Sequence, residues 1–309
     1  EFIELPFIKE INLWKNTSKG VDMIYCTDVV EGLKKLESNS ADCIILGPPY
    51  NIGKDYGNNK TNLQMTEYIS WAQEWLSECE RVLKPGGTMY IYGFSEILAH
   101  LSVNININQR WLVWHYTNKT VPSLNFWQRS HESILCCWKE DKTFFRDQVR
   151  VPYTENFIKG YKGKNRKRPG TSGRFGKSDK TSYTVNDKGS LPRDVICSPS
   201  LAGGAGSKER FFYSPSFGKL FTSKQKKQIE VDDLISHPTQ KPTKITETLL
   251  DACIEQGTKA KVVIPFAGTG SECYVCDQRG YEWVAFEINK DYVDMGNILV
   301  REGFPANKT

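Results

Sequence analysis

The sequence contains no apolar stretch long enough to cross a bilayer, and Glu1-Phe2-Ile3-Glu4-Leu5-Pro6 has neither the basic region nor the apolar run of a signal peptide. A soluble, cytoplasmic protein with no membrane partner is the expectation. Metal-ligand clusters are also scarce. The nine cysteines are scattered, and Cys43, Cys136 and Cys137 lie in apolar runs, where a reduced thiol behaves as a small hydrophobe. Cys273 and Cys276 are two residues apart on a predicted helix, without a second ligand pair or a nearby His. They read as core residues, and no metal is expected. His115, His131 and His237 read as packing or loop residues rather than general bases. Extreme charge is missing as well: a formal +5 and a pI near 8.6 are too mild to identify a nucleic-acid binder from totals.

What is present suits a large folded domain carrying an insertion. The 309 residues are 39% hydrophobic and 25% charged, enough for a sizeable core and against disorder throughout. Basic charge is concentrated locally. Between Lys159 and Arg193, eleven Lys and Arg residues face only Asp179 and Asp187. The block mixes Tyr161, Phe175 and Tyr183 with glycines, a composition that suits a phosphate backbone, although a solvated flexible loop looks similar. Arg166, Lys167, Arg168, Arg174 and Lys177 are its best candidates for DNA contact.

Around this block, short β-like runs alternate with helical ones. Strands are predicted at Met23 to Cys26, Cys43 to Leu46, Thr88 to Tyr92, Trp111 to Tyr116, Ser133 to Trp138, Val262 to Ile264 and Glu282 to Phe286. Helices are predicted at Val29 to Leu36, Thr66 to Val82, Lys244 to Gln256, Ser271 to Arg279 and Asp291 to Arg301, from apolar spacings of three or four residues. Lys84-Pro85-Gly86-Gly87 is expected to end the second helix. The alternation argues for an α/β, doubly wound, mostly parallel sheet. From about Val151 to Ser236 the rhythm disappears for longer than an ordinary connection, which indicates an insertion. The expected organisation is residues 1–150 as the first half of a catalytic domain, 151–236 as an inserted recognition region, and 237–309 as the rest of that domain.

Two turns carry chemistry. Phe266-Ala267-Gly268-Thr269-Gly270 joins a strand to a helix, and its small residues let a nucleotide-like ligand approach the backbone. A purely structural turn has the same form. Glu287 ends the next strand, where a carboxylate can accept hydrogen bonds from both hydroxyls of a ribose. Gly47-Pro48-Pro49-Tyr50 follows a buried strand. Its prolines fix the backbone and leave carbonyl oxygens that no local amide claims, while Tyr50 offers a ring on which a base can stack. A proline turn with a half-buried tyrosine is the structural alternative.

Together these residues resemble the amino-group DNA methyltransferases, which carry Asp/Asn/Ser-Pro-Pro-Tyr/Phe for the base and Phe-x-Gly-x-Gly for S-adenosylmethionine. The Pro-Pro-Tyr element precedes the cofactor loop, which is the permuted order of the family's β group. The resemblance covers most of the chain. It implies a seven-stranded Rossmann-like sheet, an inserted target-recognition region, base flipping and S-adenosylmethionine as cofactor. It places Gly47, Pro48, Pro49 and Tyr50 at the reacting base, and Pro265, Phe266, Ala267, Gly268, Gly270 and Ser271 around the cofactor. Asp28 would contact the cofactor's adenine, Glu287 its ribose and Lys241, in His237-Pro238-Thr239-Gln240-Lys241-Pro242, its methionine carboxylate. Double-stranded DNA and a cognate restriction endonuclease acting on the same site are the implied partners, with a monomer or homodimer as the assembly.

One position departs from the family pattern. Gly47 stands where the family has Asp, Asn or Ser, so a side-chain acceptor is missing. The continuation Asn51-Ile52-Gly53-Lys54-Asp55-Tyr56-Gly57 is most similar to members that methylate adenine N6; cytosine N4 is the close alternative. A glutamine-amide protein methyltransferase uses a related Pro-Pro-Tyr site but places the cofactor loop first. A DNA-binding homologue with weakened catalysis is a further class that Gly47 supports.

Overall fold

A computed structural model describes residues 24–51, 63–118, 122–161, 185–201, 209–227 and 231–306, together with the backbone of four short strands between 166 and 183. Two compact units result, one formed by residues 1–144 and 194–309, the other by 145–193.

The larger unit opens with β1 (Ile24–Cys26), α1 (Val29–Lys34), β2 (Ala41–Leu46), α2 (Met65–Val82), β3 (Leu83–Gly93), α3 (Ser95–Ser102), β4 (Asn108–His115) and β5 (His131–Trp138). The second unit holds α4 (Glu155–Tyr161) and the strands β6 (Arg166–Arg168), β7 (Thr171–Gly173), β8 (Gly176–Ser178) and β9 (Thr181–Tyr183). The chain then rejoins the larger unit through β10 (Val195–Cys197), β11 (Phe211–Ser214), β12 (Lys219–Thr222) and α5 (Ser223–Lys226). It ends with α6 (Thr243–Cys253), β13 (Lys261–Ile264), α7 (Ser271–Gln278), β14 (Glu282–Glu287) and α8 (Lys290–Glu302).

Eight strands form one sheet in the order β1-β14-β13-β2-β3-β5-β4-β10. Only β5 runs against the other seven. The seven predicted strands are all present. The eighth, β10, pairs in parallel with β4 through Val195, Ile196 and Cys197 and was hidden in the irregular stretch. Period-two alternation sends Ile44, Leu46, Val263, Val284 and Phe286 to one face, where α1 and α2 bury Leu33, Tyr68 and Trp75. Cys43, Ile45, Val262, Ile264 and Ala285 face α6 and α7 on the other side, against Leu249, Cys273 and Cys276. Burial on both faces explains why these strands read as continuous apolar runs.

Three sequence expectations change. Lys84-Pro85-Gly86-Gly87 begins β3 as an irregularity: Leu83 pairs with Ala41 and Thr88 with Cys43, while Gly86 takes φ +76°. Helix α2 ends at Val82, and the turn residues are absorbed into the strand because Leu83 is already hydrogen-bonded there. Helix α3 went unpredicted. The second compact unit spans residues 145–193, overlapping the first part of the expected insertion at 151–236. The β11–β12 hairpin returns to the larger unit because Phe211, Tyr213 and Leu220 bury against Met295 and Leu299 of α8. In the second unit, β6 pairs with β9 and β7 with β8, so Arg166, Lys167 and Arg168 fall on β6 and Lys177 on β8. Arg174 lies outside the described residues.

Chain order sets the site's position. After β2 the chain moves to β3 on one side; after β13 it moves to β14 on the other. The C-terminal ends of β2 and β13 are therefore adjacent at a topological switch point, where open α/β sheets bind their ligands. Gly47-Pro48-Pro49-Tyr50 follows β2, and Pro265 to Gly270 follows β13.

Candidate active site

An open cleft of about 910 Å³ lies at that switch point. Its wall includes Asp28, Gly47, Pro49, Tyr50, Lys241, Pro265, Phe266, Ala267, Gly268, Ser271 and Glu287, which brings the two predicted turns together. Pro48 and Gly270 are buried beside it. Thr27, Trp71, His237, Thr269, Glu272, Ile288 and Tyr292 also line it and were not predicted.

The glycine loop after β13 is held by packing beneath and hydrogen bonds above. The Phe266 ring meets Trp75 at 5.4 Å and Trp71 at 6.0 Å, both edge-on. Gly268 has φ +51°, and a Cβ there would lie 3.0 Å from His237 Nε2, so both the left-handed backbone and the closeness of His237 favour glycine at this place. The Gly268 amide donates to Glu287 Oε2 at 2.9 Å and the Asn289 amide to Oε1 at 2.9 Å. Burial raises the Glu287 pKa, partly opposed by these amides. Each carboxylate oxygen keeps a second lone pair, the requirement for receiving a diol. Asp28 lines the cleft while its Oδ1 accepts from the Val30 amide at 2.8 Å and caps α1. Glu272, at the start of α7, accepts from the Ser271 hydroxyl at 2.7 Å, and burial raises its pKa.

The Pro-Pro-Tyr turn rests on a buried network that sequence reading missed. The Lys241 ammonium donates to Glu132 Oε2 at 2.7 Å and to the Tyr50 hydroxyl at 2.6 Å. The Tyr50 hydroxyl donates to Glu132 Oε2 at 2.7 Å and the Tyr116 hydroxyl to Oε1 at 2.6 Å. Rings of Tyr50, Tyr92 and Trp114 surround the ammonium at 5.0, 5.1 and 5.6 Å. Burial pushes the Glu132 carboxyl up, but the Lys241 charge and the donated hydrogen bonds outweigh it and hold the pKa below the ordinary value. Lys241 thus reaches the cleft with its ammonium engaged at Tyr50, in the Pro-Pro-Tyr turn. Of the carbonyls at the turn, that of Pro49 is taken by the Tyr68 hydroxyl at 2.8 Å. Asn51, at φ +51°, closes the turn by exchanging two hydrogen bonds with the Leu63 backbone. Residues 52–57 of the expected continuation lie outside the described residues.

Position 47 is small but not crowded. A Cβ on Gly47 would lie 3.9 Å from Tyr92 and 4.0 Å from Lys241 Cε, ordinary contact distances.

A glycine loop with a strand-end glutamate faces a Pro-Pro-Tyr turn across one cleft, the pairing that the resemblance to the amino-group methyltransferases implies. The DNA methylase model of the N6/N4 methyltransferases matches residues 41–298, and the chain belongs to that family. It is 30% identical over 281 residues to the type II methyltransferase M.HpaI of Haemophilus parainfluenzae, which covers 88% of this chain and 72% of that protein. With the DNA adenine methyltransferase YhdJ of Escherichia coli K12 it shares 26% over 275 residues, 87% of this chain and 79% of the relative. The solved PvuII DNA methyltransferase, cytosine-N4-specific, shares the fold at a TM-score of 0.57 and 15% identity, covering 89% of this chain and 86% of that one.

The cleft fits S-adenosylmethionine, the methyl donor of this family. A carboxylate fixed beside a glycine loop at a strand end suits a ribose.

Proposed function

We propose that the protein is a site-specific DNA methyltransferase that transfers a methyl group from S-adenosylmethionine to the exocyclic amino group of an extruded base, with adenine N6 as the target. The observation that carries this reading is the meeting of the Gly268–Glu287 pair and the Tyr50 turn across one cleft. The similarity to a relative named as a DNA adenine methyltransferase favours adenine over cytosine N4.

When bound, S-adenosylmethionine supplies an electrophilic methyl group. Glu287 would hold the ribose, Asp28 the adenine edge, and the loop from Pro265 to Ser271 the backbone side of the cofactor. On the base side, the carbonyls of Gly47 and Pro48 would accept from the amino group, and Tyr50 would stack on the base. The triangle of Tyr50, Glu132 and Lys241 fixes that ring before the base arrives. The amino nitrogen loses its proton to solvent, so no histidine base is needed; His237 packs edge-on against Tyr292 at 4.8 Å.

Arg166, Lys167, Arg168, Arg174 and Lys177 would contact DNA, with the unit at 145–193 as the centre of target recognition. A restriction endonuclease that cuts the same sequence is the expected companion, as type II relatives are restriction-modification methyltransferases. Expression in methylation-free cells followed by mapping of modified bases tests the reading. A single sequence context carrying N6-methyladenine is the expected result. N4-methylcytosine would replace the target base, and unmodified DNA despite cofactor binding would favour a homologue disabled at Gly47.

A further inference from the structure

The connection between β4 and β5 has a fixed stem and an exposed apolar tip. At the stem, the Tyr116 amide donates to the Ser130 carbonyl at 2.8 Å. Asn118 exchanges hydrogen bonds of 2.8 and 2.9 Å with Ser200. Arg129 lies 4.1 Å above the Phe94 ring and pairs with Glu96 at 2.7 Å. Beyond this frame, Leu124, Phe126 and Trp127 are 91%, 80% and 87% exposed. Three neighbouring large apolar side chains left in water are costly to solubility unless a partner covers them.

Both sides of the stem lead to the base-binding tyrosine. Tyr116 bonds Glu132, which bonds Tyr50; Arg129 covers Phe94, whose ring meets Tyr50 at 5.1 Å. The tip therefore continues the rim of the base site at the C-terminal edge of the sheet. Between Thr117 and Ser130 the sequence holds no acidic residue that would repel a polyanion, and Lys119 adds a positive charge.

We propose that Leu124, Phe126 and Trp127 form a wedge that stacks into duplex DNA beside the base drawn toward Tyr50. The inference rests on the DNA-methyltransferase reading above. Extrusion of a base breaks stacking on both of its faces, and apolar or aromatic side chains inserted between base steps replace the lost contacts. The stem places the tip on the same edge of the sheet as Tyr50, within reach of a duplex whose base enters the cleft.

The test uses the full chain and a duplex that the protein selects from a random pool, so that no catalysis is required. With 2-aminopurine scanned through the selected site, the wild type should brighten the probe at or beside the target. The variant Leu124→Ser/Phe126→Ser/Trp127→Ser should keep its melting temperature, lose the brightening and bind the matched duplex roughly tenfold or more weakly. A mismatch at the brightened position should restore most of the affinity, because the base is then already unstacked; a structural role would weaken both duplexes equally. Unchanged brightening and affinity in the variant would overturn the wedge. So would a wild-type dimer that the variant converts to monomer with its DNA response intact, since a second copy would then cover the tip. A wild type that selects and binds no duplex would instead sink the functional reading, and the wedge with it.

Discussion

Position 47 is the residue on which catalytic rate should turn. The space around Gly47 accepts a side chain beside Lys241, and a preorganised acceptor aimed at a reacting amino group is worth about 3 kcal/mol. Gly47→Asp should therefore raise the single-turnover rate by roughly a hundredfold without altering cofactor affinity, as measured by rapid quench and calorimetry. Glu132 and Glu272 make opposite pH predictions. The lowered pKa of Glu132 stabilises the fold above the ordinary glutamate range, and that contribution is lost as pH falls through its folded value. Truncation to Glu132→Ala strands the Lys241 ammonium and should cost about 3–5 kcal/mol in urea denaturation at neutral pH. Glu272, whose pKa burial raises, contributes below the ordinary glutamate value and loses that contribution as pH rises through its folded value. Relative to wild type, Glu272→Gln should gain melting temperature as pH rises from about 4.5 to about 8. A parallel pH profile for the two proteins would refute this.

At the scale of elements, the connection from β13 to α7 forms one wall of the cleft. Gly270 has φ +74°, and a Cβ there would come 2.7 Å from Gly296 Cα, a backbone atom of α8 that has no rotamer in which to retreat. Helix packing thus favours glycine here beyond the left-handed backbone, whereas at Gly268 the closeness of His237 does. Gly270→Ala should push α7 from α8, destabilise the protein by about 1–3 kcal/mol and weaken cofactor binding, both readable from thermal shift with and without ligand. The hairpin β11–β12 illustrates how local pattern misleads. Flanked by glycine and lysine, Phe211 to Tyr213 read as part of a loop-rich insertion, yet their rings bury on α8 and return this stretch to the larger unit.

For the whole molecule, charge and fold are divided between the two units. The larger unit holds the cleft, and residues 145–193 carry the whole basic block. Replacing Arg166, Lys167 and Arg168 together with alanine should weaken DNA binding and reduce the slope of log affinity against log salt by roughly one per lost phosphate contact. Methyl-donor binding should be unchanged. An unaltered salt slope would remove these residues from the DNA interface.

The sequence by itself determined the strand and helix alternation, the chain order of the two turns and the residue types at the strand ends. These are local matters: apolar period, proline and glycine geometry, and a carboxylate one strand away from a glycine loop. Tertiary structure alone decided the partners of Tyr50. Glu132 and Lys241 lie 82 and 191 residues from it in the chain, and a single glutamate within an apolar strand gives no local sign that it will be buried against a lysine. Their meeting depends on β5 running antiparallel beside β3 and on the segment before α6 crossing the switch point. The eighth strand, the extent of the second unit and the apolar tip at Leu124 to Trp127 were likewise decided by which surfaces the folded chain covers and which it leaves in water.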